Sequence, residues 1–206
     1  GDLDLFVGGR LIPGQYPLAA NSSILRNDSQ KNQCKFTDIT AEVAPALING
    51  GLVSGALWTD MDQDGWMDLL IVGEFMPVTY LKNNKGKKFS PYAEESFSHT
   101  SGWWNSITGG DFDNDGDIDY IAGNLGVNSR YRGNADEPCC VYAKDFDKNG
   151  SIDPVMTHYL EGQRHITHAR DELISQMSAM RHRFRKYADN ANANSDESFL
   201  KSELDS

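Results

Sequence analysis

The feature that most limits the fold is a nine-residue pattern, D-x-D-x-[DN]-G-x-x-D, which occurs three times in the chain. The copies cover residues 60–68, 111–119 and 145–153. Each is flanked by short apolar runs, and such runs between turn signals predict β-strands. The chain is therefore predicted to consist of repeated strand–loop–strand units.

Further strands are predicted outside these units. After the first copy, Val78–Asn84 and Lys87–Ser90 are two strand-like segments joined by a Lys-Gly turn. A similar pair follows residues 1–9, which match the second half of the pattern, with Asp4 in the place of the final aspartate. The pattern's glycine recurs at intervals of 64, 51 and 34 residues, counting from Gly1.

These observations predict an all-β fold. Uneven spacing between conserved units is typical of propeller blades and not of a strict solenoid. We predict blades of four antiparallel strands over residues 1–170, about three in number, and hence a partial propeller. Because the chain starts in the middle of a motif, we expect it to be part of a longer polypeptide.

The C-terminal part of the chain departs from the strand pattern. Apolar residues at helical spacing predict one inserted helix over residues 171–186, with Asp171 as the cap and Arg181, His182, Arg183 and Arg185 at its basic end. This basic end either contacts a partner or is a simply solvated surface, and the sequence leaves both alternatives open. Residues 187–206 are polar and Asn-rich, and they predict a mobile or truncated tail.

The spacing of the acidic residues predicts calcium sites. In a tight loop, positions 1, 3 and 5 point their oxygens inward, the glycine at position 6 allows the sharp turn, position 7 offers a carbonyl, and position 9 closes the shell. Hard oxygen ligands in this number favour calcium over zinc, which prefers His or Cys, and over magnesium, which demands stricter geometry. The predicted ligands are Asp60, Asp62, Asp64, the Trp66 carbonyl and Asp68; Asp111, Asp113, Asp115, the Asp117 carbonyl and Asp119; and Asp145, Asp147, Asn149, the Ser151 carbonyl and Asp153.

An EF-hand shares the first six positions of this pattern but needs a glutamate at position 12 and flanking helices. Position 12 is Ile71, Ala122 or Met156, and the flanks are strand-like, so the EF-hand interpretation fails. Simple solvated acidic turns remain the alternative. The third loop has an asparagine at position 5, one charge fewer, and is predicted to bind calcium most weakly.

Charge argues against some partners. The formal net charge is −11, and 12 of the 30 carboxylates lie in the three loops. Phosphate binding needs clustered cations, so we expect no nucleic acid partner. No apolar run approaches the length that spans a bilayer, so we expect no transmembrane segment.

The chain has three cysteines, Cys34, Cys139 and Cys140, and their spacing is not that of a zinc site. Either one disulfide from Cys34 or three free thiols is possible.

Together the loops resemble FG-GAP/VCBS repeats, which build the propellers of integrin α-subunits and of many secreted bacterial proteins. Wider phrases, Leu11–Pro17, Gly102–Ile107, Gly123–Ser129 and Arg170–Leu173, resemble a narrower group of Bacteroidetes-type proteins related to cartilage acidic protein. That group often carries an ASPIC/UnbV domain, which these residues do not contain. The resemblance implies a secreted, periplasmic or surface-attached protein whose calcium loops are structural.

We therefore expect a binding module for a carbohydrate or protein ligand at the cell surface, and no enzyme. The Trp103–Trp104 pair is a candidate for stacking on sugar rings, although adjacent strand residues more often place one ring in the core and one at the surface. Two alternatives are a scaffold of a polysaccharide-active enzyme and a purely architectural part of a larger assembly. The candidate titratable groups for an enzyme are Glu74, His158, Glu161, His165 and His168.

Overall fold

The computed structural model describes residues 3–93, 95–126 and 128–193, and in this part of the chain the fold is almost entirely antiparallel sheet. Its strands are β1 Leu5–Val7, β2 Ser23–Asn27, β3 Phe36–Asp38, β4 Leu52–Thr59, β5 Asp68–Met76, β6 Thr79–Asn83, β7 Phe89–Pro91, β8 Gly102–Gly110, β9 Asp119–Asn124, β10 Cys140–Lys144, β11 Asp153–Leu160 and β12 Gln163–Ile166. The prediction of an all-β fold is confirmed.

The strands form three sheets. One contains β1-β2-β3, one contains β10-β11-β12, and the largest contains six strands. Within the six-stranded sheet, β4, β5, β6 and β7 pair consecutively and make one complete four-stranded blade. The far end of β5 also pairs with β8, which leads into the hairpin β8–β9. The described strands do not close into a ring, so the expected partial propeller is what the structure has.

Strand β5 is the centre of the complete blade. Its sequence is a nearly continuous apolar run, and every residue but one from Asp68 to Met76 is buried. A strand covered on both edges and both faces needs such a run, because no face is left for polar side chains. Leu69 and Ile71 on this strand pack with a core cluster that also includes Ile24, Leu47 and Leu81.

The first sheet resembles the complete blade in a detail of its hydrogen bonding. Asp4, just before β1, accepts the backbone N–H of Asn27 on Oδ1 at 2.8 Å. Asp68, at the start of β5, accepts the backbone N–H of Asn83 on Oδ1 at 2.7 Å. The match supports the assignment of Asp4 to the final aspartate of a repeat, whereas Gly1 lies outside the described residues.

Five short helices and one 3₁₀ turn accompany the sheets in the described chain. They are α1 Thr40–Val43, the 3₁₀ turn Pro45–Leu47, α2 Glu95–Ser98, α3 Arg170–Gln176, α4 Met180–Arg183 and α5 Tyr187–Asn192. None of the helices is long and apolar enough to cross a membrane.

The prediction of one helix over residues 171–186 is wrong in its continuity. The helix is interrupted at Met177, which has extended backbone angles, φ −127° and ψ 98°, and is 1 % exposed. The chain turns there because the Met177 side chain packs in a cluster with Val155, Leu173 and Phe184. The cap also differs from the prediction, since the Glu172 carboxylate, and not Asp171, accepts the backbone N–H of Ala169 at 2.9 Å.

The chain divides into two compact units, which we describe separately. The first contains residues 1–12 and 18–125, and the second contains residues 13–17 and 126–206. The first unit holds two of the acidic loops and the second holds the third. In the predicted tail, the helix α5 covers Tyr187–Asn192, and residues 194–206 lie outside the described residues.

All three cysteines are free thiols, and Cys34 is exposed.

The buried position of Leu69 makes it a test of the first unit's core. Leu69→Ala should lower the free energy of unfolding by about 2–5 kcal/mol, because a side chain with 0 % exposure leaves a cavity. Denaturant unfolding measures this. Ile121→Ala, on a strand of the same unit but 55 % exposed, should change it by less than about 0.5 kcal/mol. Equal effects from the two substitutions would contradict the assignment of β5 to the core.

Candidate metal centres

The three acidic loops connect β4 to β5, β8 to β9 and β10 to β11, and they adopt one conformation. The residue at position 4 has a left-handed backbone in each: Gln63 at φ 56°, Asn114 at φ 64° and Lys148 at φ 60°. The glycine at position 6 also has a positive φ, between 86° and 99°. A side chain at this position would be strained, which explains why glycine is present in all three copies.

The aspartate at position 1 holds the turn in every loop. Asp60 accepts the backbone N–H groups of residues 64 and 65, one on each carboxylate oxygen, at 3.0 and 2.9 Å. Asp111 accepts those of residues 115 and 116 at 3.2 and 3.1 Å. Asp145 accepts those of residues 149 and 150 at 2.9 and 2.8 Å. The loop is thus closed by its own carboxylate, and each oxygen keeps a second lone pair for another partner.

Positions 5 and 9 complete this internal network. The side-chain oxygen at position 5 accepts the N–H of position 7 at 3.0 Å in the first loop, 3.1 Å in the second and 2.8 Å in the third. The aspartate at position 9 accepts the N–H of position 2 at 3.2, 3.0 and 2.9 Å respectively. The same hydrogen bonds form in three sequences that all differ at positions 4 and 7, which indicates that the shared residues of the pattern determine the loop.

Each loop brings three carboxylates together. In each set, one oxygen from every residue lies within 4.8 Å of the others, close enough to share one cation. The sets are Asp60, Asp62 and Asp68; Asp111, Asp113 and Asp115; and Asp145, Asp147 and Asp153. Of the predicted carboxylate ligands, Asp64 and Asp119 lie outside these sets, and Asp64 and Asn149 instead hold the turn through position 7.

Asp68 is the most constrained carboxylate of the three sets. It is 0 % exposed and accepts three hydrogen bonds, from the Met61 N–H at 3.2 Å, the Tyr80 hydroxyl at 2.7 Å and the Asn83 N–H at 2.7 Å. These bonds tie the first loop to β6. Burial is also the main reason that the pKa of Tyr80 is raised, and the hydrogen bond to Asp68 adds to this effect.

A lysine that the sequence pattern did not identify lies beside the first loop. Lys82, on β6, forms an ion pair with Asp62, and its Nζ is 3.7 Å from Asp64 Oδ2. The hydrogen bond to Lys82 lowers the pKa of Asp62. Only its position on the strand that follows β5 in the blade brings Lys82 there, so a pattern confined to the nine-residue loop could not find it.

The carboxylates of the second loop repel one another. Five carboxylates lie between Asp111 and Asp119, and residues 111–118 are all exposed. The charge of Asp115 is the main reason that the pKa of Asp117 is raised. A divalent cation would relieve this repulsion.

The third loop contains an unsatisfied oxygen. Asp147 Oδ1 is shielded from solvent and has no hydrogen-bond partner, and it belongs to the set with Asp145 and Asp153. Asp153 is 1 % exposed, and its burial raises its pKa. A buried acceptor without a donor is unfavourable, and a bound cation would satisfy it. The oxygen-only donor set and this orphaned atom fit a hard divalent cation such as calcium.

The tryptophan pair lies on β8, and whether it stacks on a sugar stays a prediction. Trp103 and Trp104 are both half-buried, which differs from the alternative of one core ring and one surface ring. The Trp103 ring packs on Phe75 with a centroid distance of 5.2 Å, and the Trp104 Nε1–H donates to the Thr100 carbonyl at 2.9 Å.

Of the titratable candidates outside the loops, Glu74 lies in the first unit and the others lie in the second, where His158 and His165 are opposite each other on β11 and β12. Glu74 is 5 % exposed and forms an ion pair with Arg10, whereas Glu161 is an exposed turn residue. His158 Nδ1 is 3.2 Å from Thr167 Oγ1, and His165 Nδ1 is 3.2 Å from the Ala193 carbonyl oxygen. His168 Nδ1 is buried without a partner, and burial lowers its pKa, as it does that of His158.

Residues 60–122 match the family model for the FG-GAP-like repeat. This segment contains the first two loops, the strands β5, β6, β7 and β8, and most of β9, so it is similar to that family over three of the four strands of the complete blade and most of the hairpin that follows. No curated protein shows a significant match to the chain. The third loop lies outside the matched segment, although it shares the positive φ angles at positions 4 and 6 with the first two loops.

The hydrogen bonds of Asp68 predict an effect on stability that does not depend on metal. Asp68→Asn should lower the free energy of unfolding in the presence of chelator by about 1–3 kcal/mol, because an amide cannot accept all three hydrogen bonds. Thermal or denaturant unfolding in chelator measures it. Asp62→Asn, which alters an exposed ion pair in the same loop, should have an effect below about 1 kcal/mol. A larger loss from Asp62→Asn would contradict this account.

Proposed function

We propose that this chain is a calcium-binding β-propeller module of a secreted or cell-surface bacterial protein, and that the module binds a carbohydrate or protein ligand. The observation that carries the proposal is the convergence of three carboxylates in each of three loops with one backbone geometry. The match of residues 60–122 to the FG-GAP-like repeat supports the propeller part of the proposal. We also propose that the chain is related to the group of bacterial proteins that resemble cartilage acidic protein.

Calcium in this role is structural. The position 1 aspartate of each loop holds the turn through the chain's own backbone hydrogen bonds, so little ordering is left for the binding step. The cation supplies the positive charge that the three carboxylates lack. Extracellular and periplasmic settings fit such a module, because sites of this kind in extracellular modules work at high calcium concentrations.

We prefer a binding role to a catalytic one because Glu74, a candidate catalytic carboxylate, is already paired with an arginine. The buried Glu74 carboxylate forms an ion pair with the Arg10 guanidinium. An enzyme built on this fold would need a carboxylate or imidazole in contact with substrate. Loss of turnover on any polysaccharide after Glu74→Gln or His165→Gln, with the melting temperature unchanged, would support the enzyme alternative.

Calcium titration tests the proposal directly. Isothermal titration calorimetry should give a stoichiometry near three, with the third loop weakest, since Asn149 replaces an acid there. The melting temperature should fall in chelator, because calcium that binds only the folded state stabilises it. Asp62→Asn, Asp113→Asn and Asp147→Asn should each remove or weaken about tenfold one site only.

The matched control is Asp136→Asn, which removes an exposed carboxylate outside the loops and should leave all sites intact. Magnesium at the same concentration should compete weakly, given its stricter geometry. A titration without heat, together with equal melting temperatures in calcium and chelator, would reject the proposal.

A further inference from the structure

A group of exposed cationic side chains lies on the second unit. Four cationic side chains, Arg181, Arg183, Arg185 and Lys186, fall within six residues and are all exposed. No acidic residue occurs between positions 173 and 188. We call these four residues the basic strip.

The backbone of the basic strip is held in place by a neighbouring arginine. Arg170 Nε donates to the Phe184 carbonyl at 2.7 Å, and Nη2 donates to the Arg185 carbonyl at 3.4 Å. Phe184 is 3 % exposed and packs with Leu173 and Met177. The cationic side chains therefore project from an ordered backbone, which lowers the entropy lost when they bind a ligand.

An aromatic ring stands at the end of the strip. Tyr187 is 64 % exposed, its hydroxyl donates to Asp171, and the Arg170 guanidinium lies 5.3 Å from its ring centroid. The Lys186 backbone N–H donates to Asp189 Oδ2 at 2.8 Å, which caps α5 and fixes the turn before the ring. A flat, exposed ring is thus held beside the cations.

Three of the four cationic side chains of the strip are not in an ion pair among the described residues. No described carboxylate pairs with the Arg181, Arg185 or Lys186 side chain, whereas Arg183 has an interaction partner. The second unit as a whole carries 11 cationic and 13 acidic residues, compared with 8 and 17 in the first. One calcium ion in the third loop would bring the second unit close to neutrality.

We propose that the basic strip and Tyr187 bind an acidic polysaccharide, a glycan that carries uronate carboxylates. Guanidinium groups bind carboxylates through paired, charge-assisted hydrogen bonds, and the apolar face of a sugar ring packs on an exposed aromatic ring. A nucleic acid fits less well, because single strands stack on several aromatic rings in a continuous basic groove. This inference rests on the proposed binding function and names the ligand class for it.

The test uses hyaluronan oligosaccharides as the probe, since their only charges are uronate carboxylates, and the same oligosaccharides with the carboxylates reduced to alcohols as the neutral match. The calcium-loaded chain should bind the charged form at about 50 mM salt and more weakly at about 300 mM, because exposed charges are screened. It should not bind the reduced form. Fluorescence anisotropy of labelled oligosaccharide measures both.

Variants locate the site. Arg185→Ala/Lys186→Ala should weaken binding about tenfold or more, and Tyr187→Ala should weaken it severalfold. Lys87→Ala/Lys88→Ala removes the same charge from an exposed pair on the first unit and should leave affinity within about twofold. Unchanged binding by the Arg185/Lys186 variant, no binding by the parent chain, or equal binding of the reduced glycan would each overturn the inference.

Two further measurements distinguish a failure of the glycan-binding inference from a failure of the proposed calcium-binding function. A labelled oligothymidylate of equal charge should bind more weakly than hyaluronan, and tighter binding that the Arg185/Lys186 variant abolishes would reassign the strip to nucleic acid and overturn the inference. Thermal melts of the same samples in calcium and chelator report on the loops. A normal calcium response without glycan binding rejects the strip alone, whereas no calcium response rejects the proposed function.

Discussion

The acceptance of two backbone N–H groups by the position 1 aspartate is the interaction on which the loops depend. It closes a turn in which residues 4 and 6 have positive φ, and so it explains both the aspartate and the glycine of the pattern. With the turn closed, the carboxylates at positions 1 and 3 point to one place. The loop thereby connects a strand to its antiparallel partner while concentrating negative charge at one end of the hairpin.

The loops share this geometry but differ in their surroundings. The first is tied to its blade through the buried Asp68 and has Lys82 as a partial counter-charge. The second is exposed over residues 111–118 and has no lysine beside it among the described ion pairs. The third combines the buried Asp153 with the unsatisfied Asp147 oxygen. A bound cation would therefore replace the Lys82 ammonium in the first loop and relieve the repulsion between carboxylates in the second. In the third loop it would satisfy the buried Asp147 oxygen.

Much of the fold could be predicted from the sequence, because apolar runs and turn residues directly mark strands such as β4, β5 and β8. The loop conformation could also be predicted, since it depends on residues within nine positions of one another. The interruption at Met177 could not, because the same side chain satisfies a helical periodicity and a buried position in the cluster around Val155. Lys82 and the basic strip's support by Arg170 were missed for a related reason: both depend on contacts between residues distant in sequence.

We propose that each loop is a site for one calcium ion. Anomalous scattering from crystals grown in calcium tests it most directly. The account predicts one anomalous peak in each loop, with carboxylate oxygens of the three sets at about 2.3–2.6 Å and the position 1 hydrogen bonds retained. Loops that keep this geometry in calcium but show no anomalous peak would contradict the claim and would leave the acidic pattern as a turn motif alone.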